Sequence, residues 1–146
     1  MSAAIGVSVD GGRIPVSRKR VADAVRAVLR SDKVRDAMIS VAFIRTREIQ
    51  RMNREHLRRN RPTDVIAFGF RSVGRGAPVV GDIYIAPDVA RESARANGIT
   101  VREEILRLVV HGTLHVLGYD HPETGARTRS AMWQKQERLV ARLARS

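Results

Sequence analysis

Three histidines within eleven residues carry the strongest chemical signal in this chain. They are His111, His115 and His121, in the stretch His111-Gly112-Thr113-Leu114-His115-Val116-Leu117-Gly118-Tyr119-Asp120-His121. The whole chain has only four histidines, so the cluster is not a by-product of composition. His111 and His115 are four residues apart, which on a helix puts both imidazoles on one face, a turn apart. Gly118 stands where such a helix would end in a left-handed cap, at little cost for a residue without a Cβ. The turn can bring His121 back toward the other two. Three neutral imidazoles suit Zn²⁺, and three protein ligands leave a fourth position open, which marks a catalytic rather than a structural zinc.

The H-x3-H-x5-H spacing also occurs in the metzincin signature H-E-x-x-H-x-x-G-x-x-H. Gly112 stands where that signature has the glutamate that serves as general base. The spacing therefore supports the metal and argues against a protease. The same residues, read as H-G-x-L-H-x-L-G-Y-D-H, resemble the signature of the YbeY family, bacterial metal-dependent endoribonucleases of rRNA maturation. Two further stretches are similar to that family: Asn53 to Phe70, ending in Pro62-Thr63-Asp64-Val65-Ile66-Ala67-Phe68, and Gly81-Asp82-Ile83-Tyr84-Ile85-Ala86. The matching blocks run from about Ile39 to about Trp133, most of the chain.

Composition is consistent with such a role. At 146 residues the chain is long enough for one domain with a real core, and we read residues 1–146 as a single unit. It has no cysteine, hence neither disulfides nor a thiolate zinc site. No apolar run is long enough to cross a bilayer and no signal-peptide core is visible, so a cytoplasmic protein without a membrane partner is expected. Basic residues number 27 against 15 acidic ones, for a net charge of +12. Only Lys19, Lys33 and Lys135 are lysines, which leaves 24 arginines. This excess favours a polyanionic partner, and the planar guanidinium suits phosphate.

The elements that must position the histidines can be read in order. Ile5 to Val9 is a short strand closed by Asp10-Gly11-Gly12. Ser17 caps a helix with Val21, Val25, Val28 and Leu29 on one face. A second strand covers about Met38 to Ile44. Thr46 caps a two-faced helix: Ile49, Met52 and His56 lie on one side, and Arg47, Arg51, Arg54 and Arg58 form a stripe on the other. His56 is expected to be packed or hydrogen-bonded rather than a ligand. Arg58 to Pro62 makes a basic loop, because Pro62 turns Arg61 away from helix. Strands follow over Thr63 to Phe70 and Gly81 to Ala86, the second with Ile83 and Ile85 on one face and Asp82 and Tyr84 on the other. Pro87 opens a helix stopped at Asn97-Gly98. Thr100 and Glu103 form a capping box for the next. That helix is apolar nearly all round from Ile105 to Leu117, so it is buried and its histidines line a cleft. Met132, Trp133, Gln136, Leu139, Val140 and Leu143 give a last amphipathic helix whose stripe is core packing. The sum is an α+β domain with a four-stranded sheet covered by helices. The resemblance adds that the sheet is mixed, the arrangement zincin-like and the metal-binding helix central.

The expected activity is a zinc-dependent endoribonuclease acting on rRNA precursors, with the ribosome or its proteins as partners and one zinc per chain. The small-subunit 3′ end and ribosome quality control are implied by the resemblance. A zinc on His111, His115 and His121 would polarise a phosphoryl oxygen and acidify water. Asp120 is either a carboxylate that orients a ligand ring or an ordinary turn aspartate. The resemblance makes Asp82 a supporting residue of the metal cleft; its plain reading is a strand-end hydrogen bond. Arg59 and Arg61 are expected to clamp the scissile strand, and Arg47, Arg51, Arg54 and Arg58 either contact RNA phosphates or form a solvated face. One departure stands out. The family commonly has Tyr-Arg-Gly before the basic loop, where this chain has His56-Leu57-Arg58, with leucine at the arginine position. A ribosome-associated RNA-binding module with a structural zinc is therefore the alternative, and another zinc-dependent hydrolase is a third reading.

Overall fold

The computed structural model describes residues 3–10, 13–57, 63–70, 77–120 and 130–145. Four strands, β1 (Ala3–Val9), β2 (Ala37–Phe43), β3 (Val65–Phe70) and β4 (Val79–Ile85), form one sheet in the order β1-β2-β4-β3. β1, β2 and β4 run parallel, and β3 pairs antiparallel to β4 as an edge strand. The sheet is thus mixed, as the resemblance implied. The helices are α1 (Arg18–Ser31), α2 (Thr46–Leu57), α3 (Pro87–Asn97), α4 (Val101–Val116) and α5 (Ala131–Ala144).

Local signals account for most of the helix ends. Ser17 Oγ accepts from Arg20 N at the start of α1, and Thr100 Oγ1 accepts from Glu103 N at the start of α4. Only this half of the expected capping box is seen, because the Glu103 carboxylate reaches Arg107 instead. Gly98 takes a left-handed conformation (φ 67°) and ends α3. Thr46 is the first helical residue of α2, with the Arg45 carbonyl accepting from Ile49 N, so the cap position falls on Arg45, one residue before the expected cap.

The two faces of the sheet differ. In β2, residues 37, 39, 41 and 43 are buried against α1 and α4, and in β4 residues 81, 83 and 85 face the same way. Period-2 alternation sends Ser40, Asp82 and Tyr84 to the opposite face. There α2 covers one end through Ile49, Ile66 and Ala86, while Met38 (60 % exposed) and Phe70 (54 % exposed) remain open.

α4 lies at the centre, between α1, α3 and α5 and on top of β3 and β4. Its seat on the sheet is close because side chains are missing where it crosses. A Cβ at Gly112 would stand 2.7 Å from Ile83 Cγ2. At Gly81 it would stand 2.6 Å from Val116 Cγ2, and at Gly69 2.9 Å from the Val116 carbonyl oxygen.

Candidate active site

His111 and His115 project from α4 into a cleft of about 1110 Å³. Its walls include β3, with Val65 and Ala67; Asn53 of α2; Ser93 and Asn97 of α3; and Trp133, Gln136 and Glu137 of α5. Both imidazoles are half-buried. Their rings meet edge to face with centroids 4.6 Å apart, and the two Nε2 atoms are 3.1 Å from each other. That separation can hold one shared proton or one shared ion. Tetrahedral Zn²⁺ with Zn–N bonds of about 2.0–2.1 Å keeps two ligand nitrogens about 3.3 Å apart. The pair therefore fits a zinc ion by spacing and by ligand chemistry. His121 lies outside the described residues, and among the described residues no group of three His, Cys, Asp or Glu side chains forms a metal site.

The turn that leads to His121 is built as the sequence suggests. Gly118 has φ 101°, its N–H donates to the His115 carbonyl at 2.9 Å, and Tyr119 N–H donates to the Leu114 carbonyl at 3.0 Å. This is the paired C-terminal hydrogen-bond pattern of a Schellman motif. The turn is also tied down from outside. Tyr119 Oη donates to both oxygens of Asp32, the residue that ends α1, at 2.9 and 3.1 Å, and Lys135 of α5 pairs with the same carboxylate.

Behind His111 stands Gln136, only 2 % exposed. Its Oε1 lies 2.6 Å from His111 Nδ1, and its Nε2 donates to Glu137 Oε2 at 2.9 Å. Glu137 receives two parallel hydrogen bonds from Arg107, both 2.8 Å, and Arg107 also reaches Glu103 at 3.2 Å. Burial raises the Glu137 carboxyl, but the hydrogen bonds from Arg107 and Gln136 outweigh it and hold the group below its ordinary value. Glu104 in the same wall is buried and shifts the other way, raised by desolvation and by Asp64 against the pull of Arg107.

The sequence reading of α5 as a core stripe missed this. Met132, Leu139 and Val140 are buried as expected, but Gln136 shares their stripe and reaches His111 of α4, and Trp133 lines the cleft. A glutamine inside an apolar stripe is the one signal that could have pointed to it, since a buried amide requires partners.

Other expectations fall as follows. Asp120 is exposed and lines the same cleft as His111 and His115. Asp82 does not reach it. Gly81 and Ile83 face α4, so Asp82 points to the opposite side of the sheet, where it accepts a 2.7 Å hydrogen bond from Ser40 Oγ across the β2–β4 pair. Gly112 faces Ile83 rather than the cleft, so a glutamate there would be driven into the sheet instead of toward the histidines. His56 is exposed and packs edge to face on Phe68 at 5.5 Å, away from the His111–His115 pair. Arg47, Arg51 and Arg54 are exposed on α2 and line a second hollow, with Arg51 paired to Glu48 at 2.7 Å. Arg58, Arg59 and Arg61 lie outside the described residues, as does the side chain of Leu57.

Comparison with known proteins gives the family. The family model described as Endoribonuclease YbeY matches residues 10–144. The chain is 34 % identical to the endoribonuclease YbeY of Syntrophus aciditrophicus, over 95 % of this chain and 89 % of that protein. It is also 34 % identical to that of Bacillus licheniformis, over 97 % of this chain and 96 % of the relative. In structure it is similar to TM1509 from Thermotoga maritima, solved in solution, with a TM-score of 0.61 and 25 % identity over 95 % of this chain and 88 % of the other. The chain belongs to the endoribonuclease YbeY family.

Proposed function

We propose that the chain is a zinc-dependent endoribonuclease that processes ribosomal RNA precursors, with His111, His115 and His121 as the metal ligands. Family membership supplies the reaction class, hydrolysis within an RNA chain. The observation that carries the metal reading is the His111–His115 pair, with two Nε2 atoms 3.1 Å apart in a cleft and Nδ1 of His111 engaged from behind. The chemistry such an ion supplies is Lewis acidity toward a phosphoryl oxygen and a lowered pKa for water.

The remaining work falls to side chains of the cleft. Asp64, Glu104, Asp120 and Glu137 make the lining rich in carboxylates, a poor surface for a phosphodiester on its own. A divalent cation on the histidines offsets that charge, and Arg107 already balances part of it. Asp120 is the carboxylate we assign to orienting a ligand ring from the open side of the cleft. Arg59 and Arg61 hold the phosphates of the scissile strand, and the arginine face of α2 extends the contact along the backbone. Among the described residues no helix is long and apolar enough to cross a membrane, and a cytoplasmic, ribosome-associated setting is part of the proposal.

The test is cleavage of rRNA precursors by metal-stripped and zinc-reconstituted protein. Activity that follows zinc, and is absent in His115→Ala, supports the reading; full activity without metal overturns it. Leucine at position 57 favours a second reading, an RNA-binding module with a structural zinc. Under that reading zinc restores stability and RNA binding but no cleavage, and Leu57→Arg gives back cleavage only if the missing guanidinium is limiting.

A further inference from the structure

We infer that Arg107, Glu137 and Gln136 form a relay that selects the tautomer of His111 and so decides which ring nitrogen is offered to the cleft. The inference rests on the metal reading for its purpose, but not for its geometry.

A buried primary amide can present either its oxygen or its NH₂ to a neighbour, and the two are told apart by the surrounding hydrogen bonds. At Gln136 that choice is made by Glu137. The carboxylate accepts only, so it must receive the amide NH₂, as the 2.9 Å Nε2-to-Oε2 contact has it. Turned the other way, the amide oxygen would face a carboxylate oxygen with no proton between them. With NH₂ committed to Glu137, Gln136 has only its oxygen to offer His111, at 2.6 Å from Nδ1. Nδ1 must then carry the proton, and the lone pair sits on Nε2, the nitrogen 3.1 Å from His115 Nε2. A free imidazole in water prefers the opposite tautomer, so the protein works against the intrinsic preference.

Arg107 makes the choice rigid. Its guanidinium grips Glu137 with two parallel hydrogen bonds of 2.8 Å, a fork that fixes the plane of the carboxylate as well as its position. Arg107 is itself braced by Glu103 at 3.2 Å and Glu104 at 3.5 Å. The chain of contacts thus runs from the first turn of α4, across to α5, and back to α4 at His111. No partner in it can be reversed without leaving a buried donor or acceptor unmet, and among the described residues no buried side-chain polar atom lacks a partner. Ligand histidines commonly donate their second N–H to a carboxylate or carbonyl; here an amide takes that part, with a carboxylate behind it to set its orientation. Gln136 and Glu137 are positioning residues, since they act through His111.

The experiment begins with the metal-free protein and needs no variant. Long-range ¹H–¹⁵N spectra of the histidine rings should show His111 with its proton on Nδ1; a proton on Nε2 overturns the relay. Glu137→Gln, which lets the amide turn, and Arg107→Lys, which keeps the charge but loses the fork, should each give a mixture of tautomers. Zinc affinity, read by chelator competition, should fall about 10- to 100-fold in Glu137→Gln. The exchanged pair Gln136→Glu with Glu137→Gln again offers His111 an acceptor-only carboxylate, so it should recover the Nδ1–H tautomer and most of the affinity, whereas Gln136→Leu should recover neither. An unchanged tautomer and unchanged affinity in folded Glu137→Gln and Arg107→Lys would sink the relay while leaving the zinc site standing. If the tautomers respond as described but the wild type binds no zinc, the relay stands and the metal reading falls.

Discussion

The cleft on α4 and the arginine face of α2 are built on opposite principles. In the cleft, position is everything: His111, Gln136, Glu137 and Arg107 are linked atom to atom at 2.6–2.9 Å in a part-buried wall. On α2, Arg47, Arg51 and Arg54 are exposed, and Arg51 spends part of its charge on Glu48, with both side chains about half open to water. Exposed pairs of that kind contribute about 0–1 kcal/mol and are screened within about 8–10 Å at ordinary salt. The first region should therefore fail all at once when one atom is removed. The second should weaken by increments.

The largest expected break is at the proposed metal ligands. The purified protein should carry one zinc per chain, and His111→Ala or His115→Ala should abolish stoichiometric binding in elemental analysis, while His56→Ala leaves it intact. A chelator should lower the melting temperature of wild type and hardly move that of His115→Ala, because only a native state that binds metal is stabilised by it. Equal losses in both proteins would mean that the chelator acts elsewhere.

Next in size is the seat of α4. Gly112→Ala gains up to about 1 kcal/mol of helix propensity. It also forces a methyl to 2.7 Å from Ile83 Cγ2 inside a closed core. Overpacking of that kind costs about 1–3 kcal/mol, so thermal unfolding should show a net loss. Gly112→Glu should lose considerably more and gain no protease activity. A neutral Gly112→Ala would mean that helix and sheet can part there without cost.

The α2 face should answer in graded fashion. If each arginine contacts a phosphate of single-stranded RNA, log affinity falls with log salt at about −0.7 per contact. Replacing Arg51 and Arg54 together with Gln should flatten that slope by up to about 1.4 and leave zinc content unchanged. No change in slope would make the stripe an ordinary solvated face.

The smallest effect expected is a pH dependence of stability in the cleft wall. Glu104 binds its proton more tightly when folded, so its contribution is full below the unfolded value and is lost as pH rises from about 4.5 through the raised value. Glu137 is lowered, so its contribution is present above about 4.5 and is lost as pH falls through the depressed value. The two losses lie on either side of one pH. Glu104→Gln should flatten the alkaline side only, as followed by urea unfolding at a series of pH values.

What could be read from the sequence was local. Ser17, Thr100, Gly98 and Gly118 act at the positions their side chains, or lack of them, suggest, because a cap is decided within four residues. The i, i+4 histidines needed only a helix. The strand order and the antiparallel β3 are set by partners far away in the chain, so neither could be read locally, and only the mixed character of the sheet entered, through the family resemblance. Asp82 shows the same limit: its separation from Ile83 was legible, but which face α4 covers was not. Gln136 was hidden because it sits in register with Met132, Leu139 and Val140, and only the approach of His111 gives its amide a meaning.

The close seating of α4 also limits how the sequence can drift. Positions 69, 81 and 112 belong to three different elements, yet each is occupied by glycine against the same small set of neighbours, Val116 and Ile83. A side chain at 81 or 112 has to be matched by a smaller residue opposite or by lifting the helix that carries His111 and His115; at 69, which meets the Val116 backbone, only lifting the helix makes room. Random variation of 69, 81, 83, 112 and 116 together, selected for folded protein, should yield size-compensating pairs. Selection for zinc retention should narrow those pairs further, back toward glycine.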